Sequence, residues 1–196
     1  MKKPSTQDFQ FVAGNLALDF VNTVGNRLGT SRDYLSTLAE LNRWARLATL
    51  LPQRPSLTLN TRQLEKIRCI REELYRLFLP LASSSRLPAA SLAKLNERFA
   101  RVAHKRQLRS EKNGVVWIWD TRTDDADYIL APVLLSSTTL LAEHLFPKIR
   151  QCQGDTCGWL FLDRSPSGHR RWCSMSDCGN RAKASRHYRN NKGRSS

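Results

Sequence analysis

Four cysteines in the last quarter of the chain stand as two copies of one pattern, Cys152-x4-Cys157-Gly158 and Cys173-x4-Cys178-Gly179, with fifteen residues between the pairs. Each pair also encloses an aspartate, Asp155 or Asp177. One tight turn can place two ligands a few residues apart. Two such turns supply the four thiolates that a tetrahedral zinc ion takes at about 2.3 Å. A glycine after each pair offers the positive φ that turns backbone N–H groups toward the sulfurs. Four thiolates leave no open coordination position, so the pattern predicts one structural Zn2+ per chain on Cys152, Cys157, Cys173 and Cys178, and no catalytic metal. Disulfides would need an oxidising compartment, and Lys2 and Lys3 are followed by Pro4, Gln7 and Asp8 instead of a signal-like apolar run.

Between the pairs, Trp159-Leu160-Phe161-Leu162, Ser165-Pro166-Ser167-Gly168 and His169-Arg170-Arg171-Trp172 predict strand, turn and strand. Trp159, Phe161 and Trp172 are too small a core to hold a fold of about 45 residues, so metal ligation is expected to supply the missing stability. Asn180 to Asn191 is helix-compatible. Knuckle, hairpin and a second pair at a helix start describe a small treble-clef-like zinc finger.

The charge is placed as unevenly as the cysteines. The chain has 196 residues and a formal net charge of +15. Residues 1–147 carry a net +7 and residues 148–196 a net +8, which four thiolates on one zinc ion reduce to about +6. This divides the chain into residues 1–147 and a finger with basic helix and tail over 148–196. A concentrated cationic surface predicts a polyanionic partner. Arg181, Lys183, Arg186, Arg189, Lys192 and Arg194 surround most of their helix, with no apolar stripe for a membrane surface. The longest uncharged run, Tyr128 to Ala142, is too short and too polar to span about 30 Å of hydrocarbon. A cytoplasmic, nucleoid-associated protein follows, with no membrane contact. Double-stranded DNA is the leading partner, met by Arg170, Arg171, Asn180, Arg181, Lys183, Arg186 and Arg189 through phosphates and base edges. RNA or ribosome association through the same module is the alternative. His169, Asn180 and His187 lack the acidic cluster of a metal nuclease, so no enzyme and no catalytic residue is predicted.

Residues 1–147 read as mainly α with a β-hairpin (α+β). Leu16, Phe20 and Val24 recur at helical spacing from Asn15 to Val24. A second helix is expected over Tyr34 to Leu51, capped by Asp33 or Ser31 and stopped by Pro52. Thr61 to Leu79 is strongly amphipathic and ends at Pro80, and a fourth helix runs from Pro88 through Val102. Gln107 to Trp119 predicts a hairpin on a type I′ Asn113-Gly114 turn. Asp124 to Asp127 reads as loop and Pro132 to Phe146 as helix. Cys69 lies about 200° round its helix from Ile67, a free structural thiol. Asp19, Asn22, Thr23 and Asn26 share a polar face with Arg27 nearby, a candidate pocket for a small-molecule effector. The same module is the candidate for homodimerisation.

RQCQGDTCGWLFLDRSPSGHRRWCSMSDCGNRAK, from Arg150 to Lys183, resembles the CGNR zinc finger: twin C-x4-C-G knuckles, a W-x-F-x-D strand, and R-R-W-C opening the second pair. Leu16-Ala17-Leu18-Asp19-Phe20-Val21-Asn22-Thr23-Val24 with Arg27, and Leu41 to Trp44, resemble the ABATE domain that precedes this finger in bacterial proteins. The resemblance implies the four-cysteine ligand set and a stress-responsive transcription regulator whose finger binds DNA.

Overall fold

The computed structural model describes residues 9–51, 57–83, 87–120 and 125–192. Among the described residues its N-terminal part holds five helices, several of whose limits follow from local chemistry. Helix α1 (Leu16–Val21) starts where the Asn15 side chain accepts from the Ala17 and Leu18 N–H groups. Strands β1 (Val24–Gly25) and β2 (Arg32–Asp33) form a short antiparallel pair after it. Helix α2 (Leu38–Leu47) begins later than the sequence suggests. Thr37 and Glu40 make a reciprocal capping box there, while Asp33 is spent in β2 and on the Leu35 N–H. The helix also ends at Leu47, before Pro52, which lies outside the described residues.

Helix α3 (Thr61–Phe78) opens on a second capping box, Asn60 with Gln63, and buries Leu64, Ile67, Ile70, Leu74, Leu77 and Phe78 on one side. A 3-10 turn over Leu79–Ser83 follows it. Cys69 is exposed, as its angular position predicts. Helix α4 (Ala89–Ala103) starts just after Pro88. Strands β3 (Arg106–Glu111) and β4 (Gly114–Trp119) form the expected hairpin, but the register pairs Glu111 with Gly114. The turn is therefore Lys112-Asn113, and neither residue has the positive φ of a type I′ turn.

Helix α5 (Asp125–Ala142) corrects two expectations. It begins within the acidic cluster read as loop, and Pro132 sits inside it instead of starting it. A helix whose Ala126, Tyr128, Ile129, Leu130, Ala131, Val133, Leu134 and Leu140 are all buried has no polar face to reveal its period.

The finger is also wired differently from the expected strand–turn–strand. Strand β5 (Ile149–Gln151) pairs antiparallel with β6 (Leu160–Leu162), so the first knuckle is itself the hairpin loop. His169 to Trp172 is not a strand; it runs alongside, its Arg171 carbonyl accepting from the Gln153 N–H. The Ser165–Gly168 turn is present, closed by Gly168 N–H to Ser165 C=O at 3.1 Å. Helix α6 (Asn180–Lys192) leaves the second cysteine pair through a wide turn over Met175–Gly179. Trp159, Leu160, Phe161 and Leu162 are buried in one continuous core with Leu18, Phe20, Trp44 and Phe78. The finger therefore rests on the helical part and shares its core.

Candidate metal centre and the surfaces around it

The Sγ atoms of Cys152, Cys157, Cys173 and Cys178 all lie within 4.8 Å of one another, and all four residues are buried. Cys173 Sγ is 3.7 Å from Cys157 Sγ and 3.6 Å from Cys178 Sγ. A tetrahedron with metal–sulfur bonds of about 2.3 Å has edges of about 3.8 Å, so these spacings fit a single zinc ion. The chemistry of the donors fits too. Sulfur contacts with Cys157, Cys173 and Cys178 hold the Cys152 thiol well below its ordinary range, whereas contacts with its neighbours push Cys157 and Cys173 well above theirs. At Cys178 the contact with Cys152 raises the thiol, but Cys157, Cys173 and Arg181 outweigh it and bring it to about 6. Sulfurs this close cannot all ionise on their own; a dication makes four thiolates compatible.

Local backbone serves the cluster. Gly158 follows the first pair with φ +69°, as expected. Gly179 does not adopt positive φ; a Cβ there would lie 2.5 Å from Sδ of Met175, a flexible and exposed side chain that can move aside. The Cys173 N–H donates to Cys152 Sγ at 3.3 Å, and Arg181 Nη2 to Cys178 Sγ at 3.0 Å.

The cationic residues expected at a nucleic acid surface fall into two groups. Arg170 is turned inward. It donates to the Trp172, Val12 and Cys173 carbonyls and lies 4.4 Å over the Phe161 ring, so it ties the finger together and to the N-terminal segment. Arg181 supports a sulfur and pairs with Asp177 at 3.5 Å. Arg171 is exposed, bonded to Gln153 and 5.3 Å from the Trp172 ring, and Asn180 donates to the Ser176 carbonyl. Lys183, Arg186 and Arg189 are exposed along one side of α6 and make no ion pair among the described residues. Near them, Met175 and Tyr188 are 54% and 69% exposed.

The polar face expected to open an effector pocket lies against the finger. Asn22 donates to the Leu160 carbonyl at 2.8 Å and accepts from the Leu160 N–H at 2.9 Å, completing the free edge of β6. Asp19 accepts from the Ala13 N–H, and the Ala13 carbonyl accepts from Leu162 N–H. Burial raises the Asp19 carboxyl to about 6, against the lowering effect of the Ala13 and Val12 N–H groups. Thr23 Oγ1 donates to the Phe20 carbonyl and accepts from Arg71. Asn26 accepts from Thr156 Oγ1. The backbone N–H groups of Arg27 and Leu28 donate to the knuckle carbonyls of Cys157 and Thr156, both at 3.1 Å. Trp159 Nε1 donates to the Val24 carbonyl, and Tyr75 Oη to that of Gly158. The Arg27 guanidinium stacks 3.8 Å over Tyr75 and bonds Glu72 and the Val21 carbonyl. Arg71, nearly fully buried, holds Asp33 through two bonds of 2.7 and 2.8 Å. Nothing in local spacing signals this contact, because its two sides lie far apart in the chain.

Two family models match the chain. The ABATE model, described as "Putative stress-induced transcription regulator", matches residues 14–144, more than half of the sequence. The CGNR zinc finger model matches residues 148–191. A comparison with curated proteins gives no match.

Proposed function

The chain belongs to the ABATE family of transcription regulators and carries a CGNR zinc finger, and from that premise we propose that it is a zinc-dependent regulator that binds double-stranded DNA. The observation that carries the reading is the row of Lys183, Arg186 and Arg189, exposed on a helix rooted in the four-cysteine cluster. Three cations at this spacing suit phosphates along one groove edge. Arg171 and Asn180 stand at the base of the same helix, where side chains can reach base edges. Arg170 and Arg181 contribute by holding the finger's shape. Zinc, held by Cys152, Cys157, Cys173 and Cys178, would fix the four thiolates and so the direction in which α6 leaves the finger. The N-terminal part is the candidate effector sensor or dimerisation unit, and the site of action is the cytoplasm at the nucleoid. No helix among the described residues is long and apolar enough to cross a membrane.

The test is retention of a random duplex DNA pool by the full-length, zinc-loaded protein, with structured RNA as competitor at fixed salt. DNA is expected to be retained over RNA and released by a chelator. The combined Lys183→Gln, Arg186→Gln and Arg189→Gln variant should weaken binding across all sequences and lower the salt slope by about three. Retention that ignores both the chelator and the triple substitution overturns the reading. Preferential retention of RNA replaces it with the RNA-associated one.

A further inference from the structure

Helix α3 faces two ways. Arg71, Glu72 and Tyr75 point toward the finger and the loop that seats it. On the opposite side, Ile70, Leu74 and Leu77 join Leu95 of α4 and Leu134 of α5 around a cavity of about 90 Å³. Its apolar floor contrasts with its mouth, formed by Glu73, Arg76, Lys94 and Arg98. The mouth therefore holds three cations and one carboxylate. Glu73 and Arg98 meet at 3.3 Å through both guanidinium contacts, longer than the roughly 2.7–2.9 Å of a tight charge-assisted bond. Arg76 and Lys94 pair with no acid among the described residues. A second carboxylate arriving here would find an unbalanced positive rim and an arginine only loosely held.

We propose that the cavity between α3, α4 and α5 binds a small amphipathic carboxylate, its aliphatic tail on Leu74, Leu95 and Leu134 and its head on Arg98 and Lys94. The volume is smaller than the roughly 150 Å³ cavity that takes up benzene, so it encloses only the end of a slim unbranched chain, whose remainder and head lie at the open mouth. The site lies on the far side of α3 from the finger contacts, so one helix would feel both the ligand and the seat of the finger. That consequence rests on the regulator reading; the binding itself does not.

Calorimetric titration of the full-length, zinc-loaded protein with hexanoate, hexan-1-ol and hexylamine tests the site. Hexanoate is expected to bind about tenfold or more tighter than either other probe. It should shift the methyl resonances of Leu74, Leu95 and Leu134. Lys94→Gln with Arg98→Gln changes only the rim, and helical circular dichroism reports whether that variant folds; hexanoate affinity should fall about tenfold or more in it. Equal binding of the three probes, or hexanoate binding that survives both substitutions in a folded variant, overturns the proposal. Failure to retain DNA would count against the regulator reading alone, since this site is scored by the titration.

Discussion

Asn22 has only one amide, yet it supplies both a donor and an acceptor to Leu160, as a neighbouring strand would. Asn22→Ala would leave the buried Leu160 N–H and carbonyl without those partners. A loss of about 2–4 kcal/mol in unfolding free energy is expected, measured by urea denaturation. Asp19 works with opposite sign to the other acids at this contact. Burial opposes ionisation at Asp33 and Glu72, but Arg71 and Arg27 respectively overcome it and hold both carboxyls below their ordinary values. Their stabilisation is complete above the unfolded values of 3.8 and 4.5, and is lost as pH falls through the folded ones. Asp19, raised to about 6 by burial from 3.8, penalises the folded state above pH 6. The penalty is relieved as pH falls from 6 toward 3.8. Asp19→Asn abolishes the effect, so wild type should gain on the variant through this window by at most about 1.4 kcal/mol per pH unit. Denaturation at pH 4.5, 5.5 and 7 measures it, and a constant difference would refute it. Both proteins keep the same cysteine cluster, so thiolate protonation cancels in the comparison.

At the level of elements, what was legible had a local cause. Helix α3 announces its end through Pro80 and its period through Leu64, Ile67, Ile70 and Leu74, and the structure adds the Asn60–Gln63 capping box at its start. The β3–β4 hairpin was equally plain, although its register slid by one residue from the Asn-Gly turn. Helix α5 starts well before Pro132, a boundary signal that tertiary packing overrides. Trp159 to Leu162 announce β6 but not its partner. His169 to Trp172 follows it through a short turn, yet β5 precedes it across the knuckle and wins the pairing. Arg170 bonding to the Val12, Trp172 and Cys173 carbonyls commits the later segment to the metal side of the finger.

For the whole molecule, the shared core changes what zinc is expected to do. Taken alone, the finger could lose its metal and unfold while residues 1–147 stayed intact. Here the knuckle carbonyls of Thr156 and Cys157 are met by Leu28 and Arg27, and Trp159 to Leu162 lie inside the common core. Metal analysis should give one zinc per chain, and Cys173→Ser should release it. Chelation should then lower the unfolding midpoint of the helical signal in a single transition, read by circular dichroism at 222 nm. Two separate transitions, with the helical one unmoved, would show the parts to be independent.

The sequence by itself determined the ligand set, the amphipathic helices and the cationic character of the last quarter, because turns, helical period and charge are encoded within a few residues. Only the tertiary structure decided what the polar residues do. Asn22 and Leu160 are 138 positions apart, and the sequence alone places Asn22 on a polar face with no sign that β6 is laid against it. Likewise, Arg170 and Lys183 are indistinguishable as charges in a sequence. Burial against Phe161 and backbone carbonyls makes the first a brace, and exposure on α6 leaves the second available to a polyanion. Partners for buried polar groups are set by which surfaces meet, and no local pattern records that.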